Sequence, residues 1–552
     1  MTSTGSVAAP TPLPTSQHSA AGTRQSLIDR LTSPGGLFLS ATLLAAAFPL
    51  TAPIRDPDFW WHLRSGQLIL QSGGLLHTDP FTYTVSSHVW TMHEWLTEVL
   101  FAKLYSWGGL GAIVAILSVV SWLGVVCIFA RARLDRPGPF ALGGGIVLAV
   151  IAGYPIWGPR AQMLTFAFAC LTLLLAEHHL RRGGRVAWLL LPVFLVWGNL
   201  HSGFLIGLGF IAVIVAAEAA AHLLHLEGRA PARRVRGLAF ILLGSLLACA
   251  VNLNGPSIIL YPFGTLGSAA QQSLILEWHS PDFHDWSVRI FAVMLLSLVG
   301  FIVANRSIRL RDAALVLVTV ILALQSVRHI ALFVAAATPV WINQADMLLA
   351  GRRRRPRRPQ KLPPVGMRVI SWLALCGALL GVYIGSRLLP AVQTREDSLF
   401  YAQDFPVCAA RWLAADPLPL HIFNQYGEGG YLAYRLTAQG DRVYIFGDAA
   451  LMGDGLLYNY GDIEGVTPRW DSILRTAGTD IVLFDTNAPL SNLMTHADDW
   501  VKVYSDPHNA AFARRDRVAA LQLPPQPTYT AAHDTCTALV QTPASQLNQQ
   551  PG

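Results

Sequence analysis

Apolar residues recur along this chain in blocks of about 15–22 residues, the length of a helix crossing a ~30 Å hydrocarbon core, with short arginine-rich links between them. The pattern predicts about eleven spans, near 36–53, 108–130, 139–157, 162–180, 186–199, 203–224, 237–252, 288–305, 312–327, 330–347 and 367–386. The run 186–224 reads as two short helices or one broken helix, with a turn at Gly198-Asn199-Leu200-His201-Ser202-Gly203. Two stretches, 59–72 and 93–105, show helical apolar spacing with aromatic flanks. They are expected to lie in the membrane interface, anchored by Trp60, Trp61, Trp90, Trp95 and Trp107. Beyond a linker near 387–400 the pattern changes. Short strand-like runs at 421–423, 443–446, 481–484 and 501–504 alternate with helical stretches such as 469–477 and 491–499, which predicts a small, mostly parallel sheet. The chain thus divides into a disordered tail (1–35), a transmembrane domain (36–386) with a long first outer loop (54–107), an α/β domain (387–521) and a second disordered tail (522–552).

Composition agrees with that division. Of 552 residues, 53% are hydrophobic and only 13% charged, against roughly a quarter charged in soluble domains, which excludes a soluble multidomain protein. The net charge of +7 invites a nucleic-acid reading, but no basic face exists outside the links, so nucleic acid is excluded as a partner. One alternate set of links carries Arg24 and Arg30; Arg131, Arg133 and Arg136; Arg181, Arg182 and Arg185; Arg229, Arg233, Arg234 and Arg236; and Arg306, Arg309 and Arg311. It ends with the run 352–358, Lys361 and Arg368. The other set holds Arg55, Arg64, Lys103, Arg160 and Arg328. The excess of positive charge marks the first set as cytoplasmic, with the N-terminus inside and the α/β domain outside. Cys408 and Cys536 both fall in the outer part, where a disulfide is an option.

Ionisable groups beside a membrane are costly and mark sites. The outer links supply Asp56, Asp58, His62, Asp79, His93 and Glu94 from the first loop, then Arg160, Asn199, His201, Asn252, Asn254, Tyr261, Glu277, Trp278, Asp282, Arg328 and His329. The inner ends are expected to offer arginine and little else, so the site is placed at the outer end. Asp56-Pro57-Asp58, directly after a span, is the strongest functional signal. Asp79 before Pro80 reads as a turn residue, Asp285 as solvated, and Asn252 and Asn254 as helix terminators. Arg160 and Arg328 stand where topology disfavours positive charge, so each calls for an anionic partner, a carboxylate or a bound phosphate. Gly427-Glu428-Gly429-Gly430 after the first strand reads as a tight turn in preference to a phosphate cradle.

Several segments carry a resemblance to a bacterial family of multi-span membrane proteins that is similar to the GT-C glycosyltransferases. They are DPDFWWHLRSGQLI, DPFTYT, HEWLTEVLF, PRAQMLTF, WGNLHSGFLIG, EWHSPDF, SVRHIALFVAAATP and FNQYGEGGYLAYRL, in order over roughly 54–515. The WWDYG motif of oligosaccharyltransferases is absent from the sequence. The resemblance implies a GT-C-like α-helical polytopic membrane protein of the bacterial cytoplasmic membrane with a C-terminal extracytoplasmic α/β domain. It implies transfer of a sugar from a polyprenyl-phosphate donor to a glycan, lipid or protein acceptor, with inversion. Carried over, Asp56 or Asp58 becomes the catalytic carboxylate, joined by Glu94; Arg160, Arg328 and His329 meet the lipid phosphate; and His93, His201 and Glu277 orient sugar or acceptor hydroxyls. A divalent metal is an option, because the Asp56–Asp58 spacing is one that some GT-C enzymes use with one, but no closed ligand set in the sequence calls for it. The alternative is a non-catalytic membrane protein: a transporter or flippase for a lipid-linked precursor, or an assembly scaffold.

Overall fold

The computed structural model describes residues 27–352, 363–396, 401, 404–416 and 418–525. The expectations for 1–26, 526–552, the arginines of 353–358 and a bridge from Cys408 to Cys536 fall outside them. Among the described residues, six helices are long and apolar enough to cross a membrane, including Gln162–Arg182, Phe204–Leu223 and Trp286–Asn305. Pro34–Leu50, Pro139–Ala152 and Val186–Leu200 are shorter apolar helices. Local chemistry sets the helix ends. Ser33 accepts from Gly36 N with Pro34 in the first turn, and Asp285, expected to be merely solvated, caps Trp286–Asn305 by accepting from Ser287 N at 2.9 Å. The stretch expected to be irregular up to residue 35 already holds the helix Leu27–Leu31, tied down by an Asp29–Arg368 ion pair of 2.6 Å.

The 41-residue apolar helical run Trp95–Asp135 is too long for one span. It breaks at Gly108 and Gly109, where φ reaches +60° at Gly109, so that 95–107 is set off by a kink from the helix that follows. The 186–224 run is broken as well, by the turn at His201 between Leu190–Leu200 and Phe204–Leu223.

Residues 421–514 carry a five-stranded sheet in the order β2-β1-β3-β5-β4. β1 (His421–Asn424) lies parallel to β2 (Arg442–Val443) and to β3 (Ile481–Asp485). β5 (Asn509–Arg514) runs antiparallel to both β3 and β4 (Trp500–Ser505). The sheet is therefore mixed, not mostly parallel, because β4 and β5 form a hairpin closed by Asp506, whose Oδ1 accepts from His508 N and Asn509 N. The first outer loop joins this sheet at the free edge of β2: Val443 N donates to Phe81 O at 3.0 Å and Tyr83 N donates to Val443 O at 3.2 Å.

That pairing corrects the expectation for the tryptophans. Trp60 (0% exposed), Trp61 and Trp90 are not at a membrane interface; they are buried between the first loop and the sheet. Trp60 meets the rings of Tyr401, Phe405 and Tyr431 edge-on at 5.1–5.6 Å. Trp107 is exposed, as an anchor would be. Gly429 and Gly430 serve the same packing. A β-carbon on Gly429 would overlap Ile445 O, and one on Gly430 would stand 2.7 Å from Pro57 O.

The opposite end of the bundle also departs from expectation, because it holds carboxylates as well as arginines. Arg311 bonds Glu177 at 3.0 Å and also Glu218; Arg181 grips both oxygens of Asp135 at 2.7 Å; Arg309 reaches Asp312 at 2.7 Å; and Arg131 lies 4.0 Å from Asp312. Glu177 and Glu218 sit inside apolar blocks, where a count of link arginines does not register them. Named in pairs, the arginines and carboxylates of this network balance in charge.

Candidate functional site

The first loop leaves the helix Ala47–Leu50 and turns at Asp56-Pro57-Asp58 into the helix Phe59–Ser72. Asp58 occupies the N-cap position, yet its side chain does not cap. Its Oδ1 instead accepts from Trp61 Nε1 at 3.2 Å, and Asp56 Oδ1 accepts from Asp58 N at 3.4 Å. The segment after β2 closes over this pair: a β-carbon on Gly447 would overlap Asp58 Oδ1, and Tyr426 OH donates to Gly447 O at 3.2 Å. Burial first, and then the charge of Asp56, push Asp58 up to about 8; burial also raises Asp56, against the pull of Arg160.

Arg160 stands beside Asp56 (3.8 Å) and bonds Glu277 at 2.6 Å and Gln162 at 3.1 Å. Its anionic partners are therefore carboxylates of this chain. Burial raises Glu277, but Arg160 and then Arg328 outweigh it and hold the carboxyl below its ordinary value. Arg328 differs from Arg160. Its guanidinium lies 5.0 Å over the Trp278 ring, and among the described residues it has no hydrogen bond and no ion pair. The turns that carry the two groups are pinned together, with Ser326 Oγ donating to Glu277 O at 2.7 Å and Val327 N to His279 O at 3.0 Å. His329 Nδ1 lies 3.3 Å from Leu322 O, its ring edge-on to Trp278.

A second centre forms around Glu94, which the helix at Trp95 and its anchors hold in place. Trp95 Nε1 donates to Asn199 Oδ1, Thr97 Oγ1 to Leu200 O, and Asn254 Nδ2 to Met92 O, so Asn254 does more than end a helix. Imidazole Nε2 atoms approach Glu94 from His93 (3.1 Å), His201 (3.3 Å) and His62 (3.3 Å). His201 Nδ1 accepts from Gly203 N at 2.8 Å, so its proton sits on Nε2, facing Glu94. Burial would raise Glu94, but the histidines hold it well below the usual carboxylate range. Burial lowers His62 and His201 to about 4, leaving both neutral. Burial acts the same way on His93, but Glu94 outweighs it and raises His93, whose ring stacks on Tyr261 at 4.3 Å. Trp61 joins the two centres, with its ring 3.6 Å from that of His62 and its N–H on Asp58.

The structure thus gathers Asp56, Asp58, Arg160 and Glu277 into one cluster and Glu94, His93 and His201 into another, with Arg328 and His329 on the Trp278 side. The sequence reading leaves out His62, Glu98, Trp61 and Asp448 as site residues. Asp448 accepts from Trp90 Nε1 at 2.7 Å, and burial raises it. Asp79 holds the turn of its own loop, accepting from Phe81 N at 2.7 Å and Thr82 N at 3.2 Å. Among the described residues no group of three or more His, Cys, Asp or Glu side chains is arranged to hold a metal ion. Asp56 and Asp58 do not fit one either, because Arg160 takes the cation's place beside Asp56 and Gly447 covers Asp58.

No protein-family model matches the chain, and no curated protein matches it by sequence. Among solved structures it is similar to the archaeal oligosaccharyltransferase AglB from Archaeoglobus fulgidus, in complex with an inhibitory peptide and a dolichol-phosphate. The TM-score is 0.51 and the identity 10%, covering 87% of this chain and 74% of that one. ArnT from Cupriavidus metallidurans, bound to undecaprenyl phosphate, aligns over 88% of this chain and 99% of that one at 15% identity, with a TM-score of 0.45. The likeness to AglB is one of fold, and it agrees with the six described helices that are long and apolar enough to cross a membrane.

Proposed function

We propose that this protein is a glycosyltransferase that moves a sugar from a polyprenyl-phosphate donor to an acceptor on the outer face of the bacterial cytoplasmic membrane. The N-terminus lies inside, about eleven spans follow, and the sheet domain lies outside. The observation that carries the reading is the pair Asp56 and Asp58: two carboxylates withdrawn from water at one end of the bundle, one of them raised to about 8 and engaged in no cap. A buried carboxylate with that affinity for protons is a competent general base. Asp58 takes the proton of an acceptor hydroxyl while that oxygen attacks the anomeric carbon. The bond from that carbon to the phosphate oxygen breaks on the opposite face, and the polyprenyl phosphate leaves with inversion. Arg328, whose guanidinium makes no ion pair or hydrogen bond among the described residues, receives the phosphate, with His329 beside it. Arg160 keeps Asp56 and Glu277 in position. Glu94 acts as the anion that aims His93 and His201 at sugar or acceptor hydroxyls. The dolichol-phosphate carried by AglB, which shares the fold, supports a polyprenyl-phosphate ligand. The absence of the WWDYG motif argues against protein N-glycosylation. A transporter would have to open both ends of its bundle in turn, and the buried, charge-balanced network at the far end argues against that.

The reading is tested by binding of undecaprenyl phosphate alone to the purified full-length protein in nanodiscs. Arg328→Gln should weaken binding by about ten- to a hundredfold, since a charge-assisted contact to phosphate is worth ~1.5–3 kcal/mol, with the protein still monodisperse. Equal affinity in wild type and Arg328→Gln would remove the phosphate site from this reading.

A further inference from the structure

His62 and Glu98 play no part in that scheme, although both are almost wholly buried beside it, at 5% and 1% exposure. Their geometry constrains the protons. His62 Nδ1 is hydrogen-bonded to Glu98 Oε1 at 3.3 Å, while Nε2 faces Glu94 Oε2 at 3.3 Å, off the hydrogen-bond line. A neutral imidazole has a single N–H, so between two carboxyl groups one ring nitrogen is bare and must receive a proton from the group opposite. Glu94 is the anion of the pair, because His93 and His201 also converge on it. Among the described residues Glu98 has no ion-pair partner other than the neutral His62, and its Oε2 has no hydrogen bond. An ionised carboxylate there would be uncompensated.

The backbone leaves this arrangement no slack, since a β-carbon on Gly66 would overlap Glu98 O. The next link is Trp61, whose ring lies tilted at 33° against that of His62 with centroids 3.6 Å apart and whose Nε1 donates to Asp58 Oδ1 at 3.2 Å. We propose that Glu98 and His62 are positioning residues for Asp58: Glu98 stands as a neutral acid donating to His62 Nδ1, and the imidazole so held carries the indole that orients the Asp58 carboxylate. The importance of this chain rests on the reading of Asp58 as the base, but its existence does not. The titratable and charged groups that face it are Asp56, His93 and Glu94 from the first loop, Arg160, His201, Glu277 and Arg328 from the bundle, and Asp448 from the sheet domain.

The test is an infrared titration of carboxyl absorption in the purified full-length protein in nanodiscs, with no substrate present, so its outcome is independent of any transfer activity. Asp58→Asn identifies the Asp58 band, which should titrate near pH 8. Trp61→Phe removes a hydrogen bond to the ionised form and should raise that midpoint by about one unit. His62→Gln and Glu98→Ala should move it in the same direction. Glu98→Gln, whose amide donates as a neutral acid does, should leave the midpoint in place and abolish a carboxyl band that persists through neutral pH. If Glu98→Gln abolishes no such band, the neutral acid is wrong. If neither His62→Gln nor Glu98→Ala moves the Asp58 midpoint, the chain is wrong. The isosteric Glu98→Gln keeps the proposal falsifiable if the other variants do not assemble.

Discussion

At the scale of single residues, the proposed role of Asp58 as the base predicts the pH behaviour. A base raised to about 8 is mostly protonated at neutral pH, so kcat/KM should climb with pH and level off above about 8. Asp58→Asn should abolish that limb and cost about 100-fold or more in rate at unchanged protein level. The stability consequence has the opposite sense. The folded value lies above the ordinary 3.8, so the contribution is complete below 3.8 and is lost as pH rises through about 8. For His93 the raised folded value means that its pairing with Glu94 contributes fully below pH 6.5, the ordinary value, and is lost as pH rises through the folded one. The two arginines should part company. Arg160→Gln strands Asp56 and Glu277 and should reduce folded protein, whereas Arg328→Gln gives up a ring contact worth about 1 kcal/mol and should not; thermal melts in detergent compare them. Asp56, Asp58, Glu94 and both arginines were legible in the sequence because charge beside a membrane has to be explained. Glu98 was not, hidden one helical turn beyond Glu94 in an apolar stretch, nor was Asp448, which the fold brings from far along the chain.

At the scale of elements, helices were legible from apolar runs, but their surroundings were not. The periodicity of Phe59–Ser72 suits lipid or protein equally, and only the structure shows Trp60 and Trp61 against the sheet domain. β5 reads Asn-Ala-Ala-Phe-Ala-Arg, without the β-branched residues that mark strands, which is why the mixed sheet could not be foreseen. Trp60→Ala should destabilise by about 3–5 kcal/mol and loosen the outer domain first. Limited proteolysis should show this as new cleavage between 404 and 525 ahead of any in the spans. At the far end, Arg311→Met orphans Glu177 and Glu218 and should lose about 3–5 kcal/mol. Replacing Arg311, Glu177 and Glu218 together by apolar residues should recover most of it.

At the scale of the whole molecule, the first loop packs on the bundle end and on the sheet domain together, so on the proposed reading the sheet domain is part of the site's wall and not an appendage. The proposed orientation rests on the arginine distribution. A cysteine at the exposed Asn492 should react with an impermeant reagent in intact spheroplasts, and one at the exposed Glu227 should not. The central claim, carboxylate-assisted sugar transfer from a polyprenyl-phosphate donor, is tested most directly by mass spectrometry of lipid extracts. The comparison is a strain lacking the protein, complemented with wild type or with Asp58→Asn at equal membrane levels. The account predicts that a polyprenyl-phosphate sugar accumulates without the protein, disappears with wild type and persists with Asp58→Asn. Clearance of that lipid by Asp58→Asn as complete as by wild type, or no such lipid accumulating in the deletion strain, would contradict it.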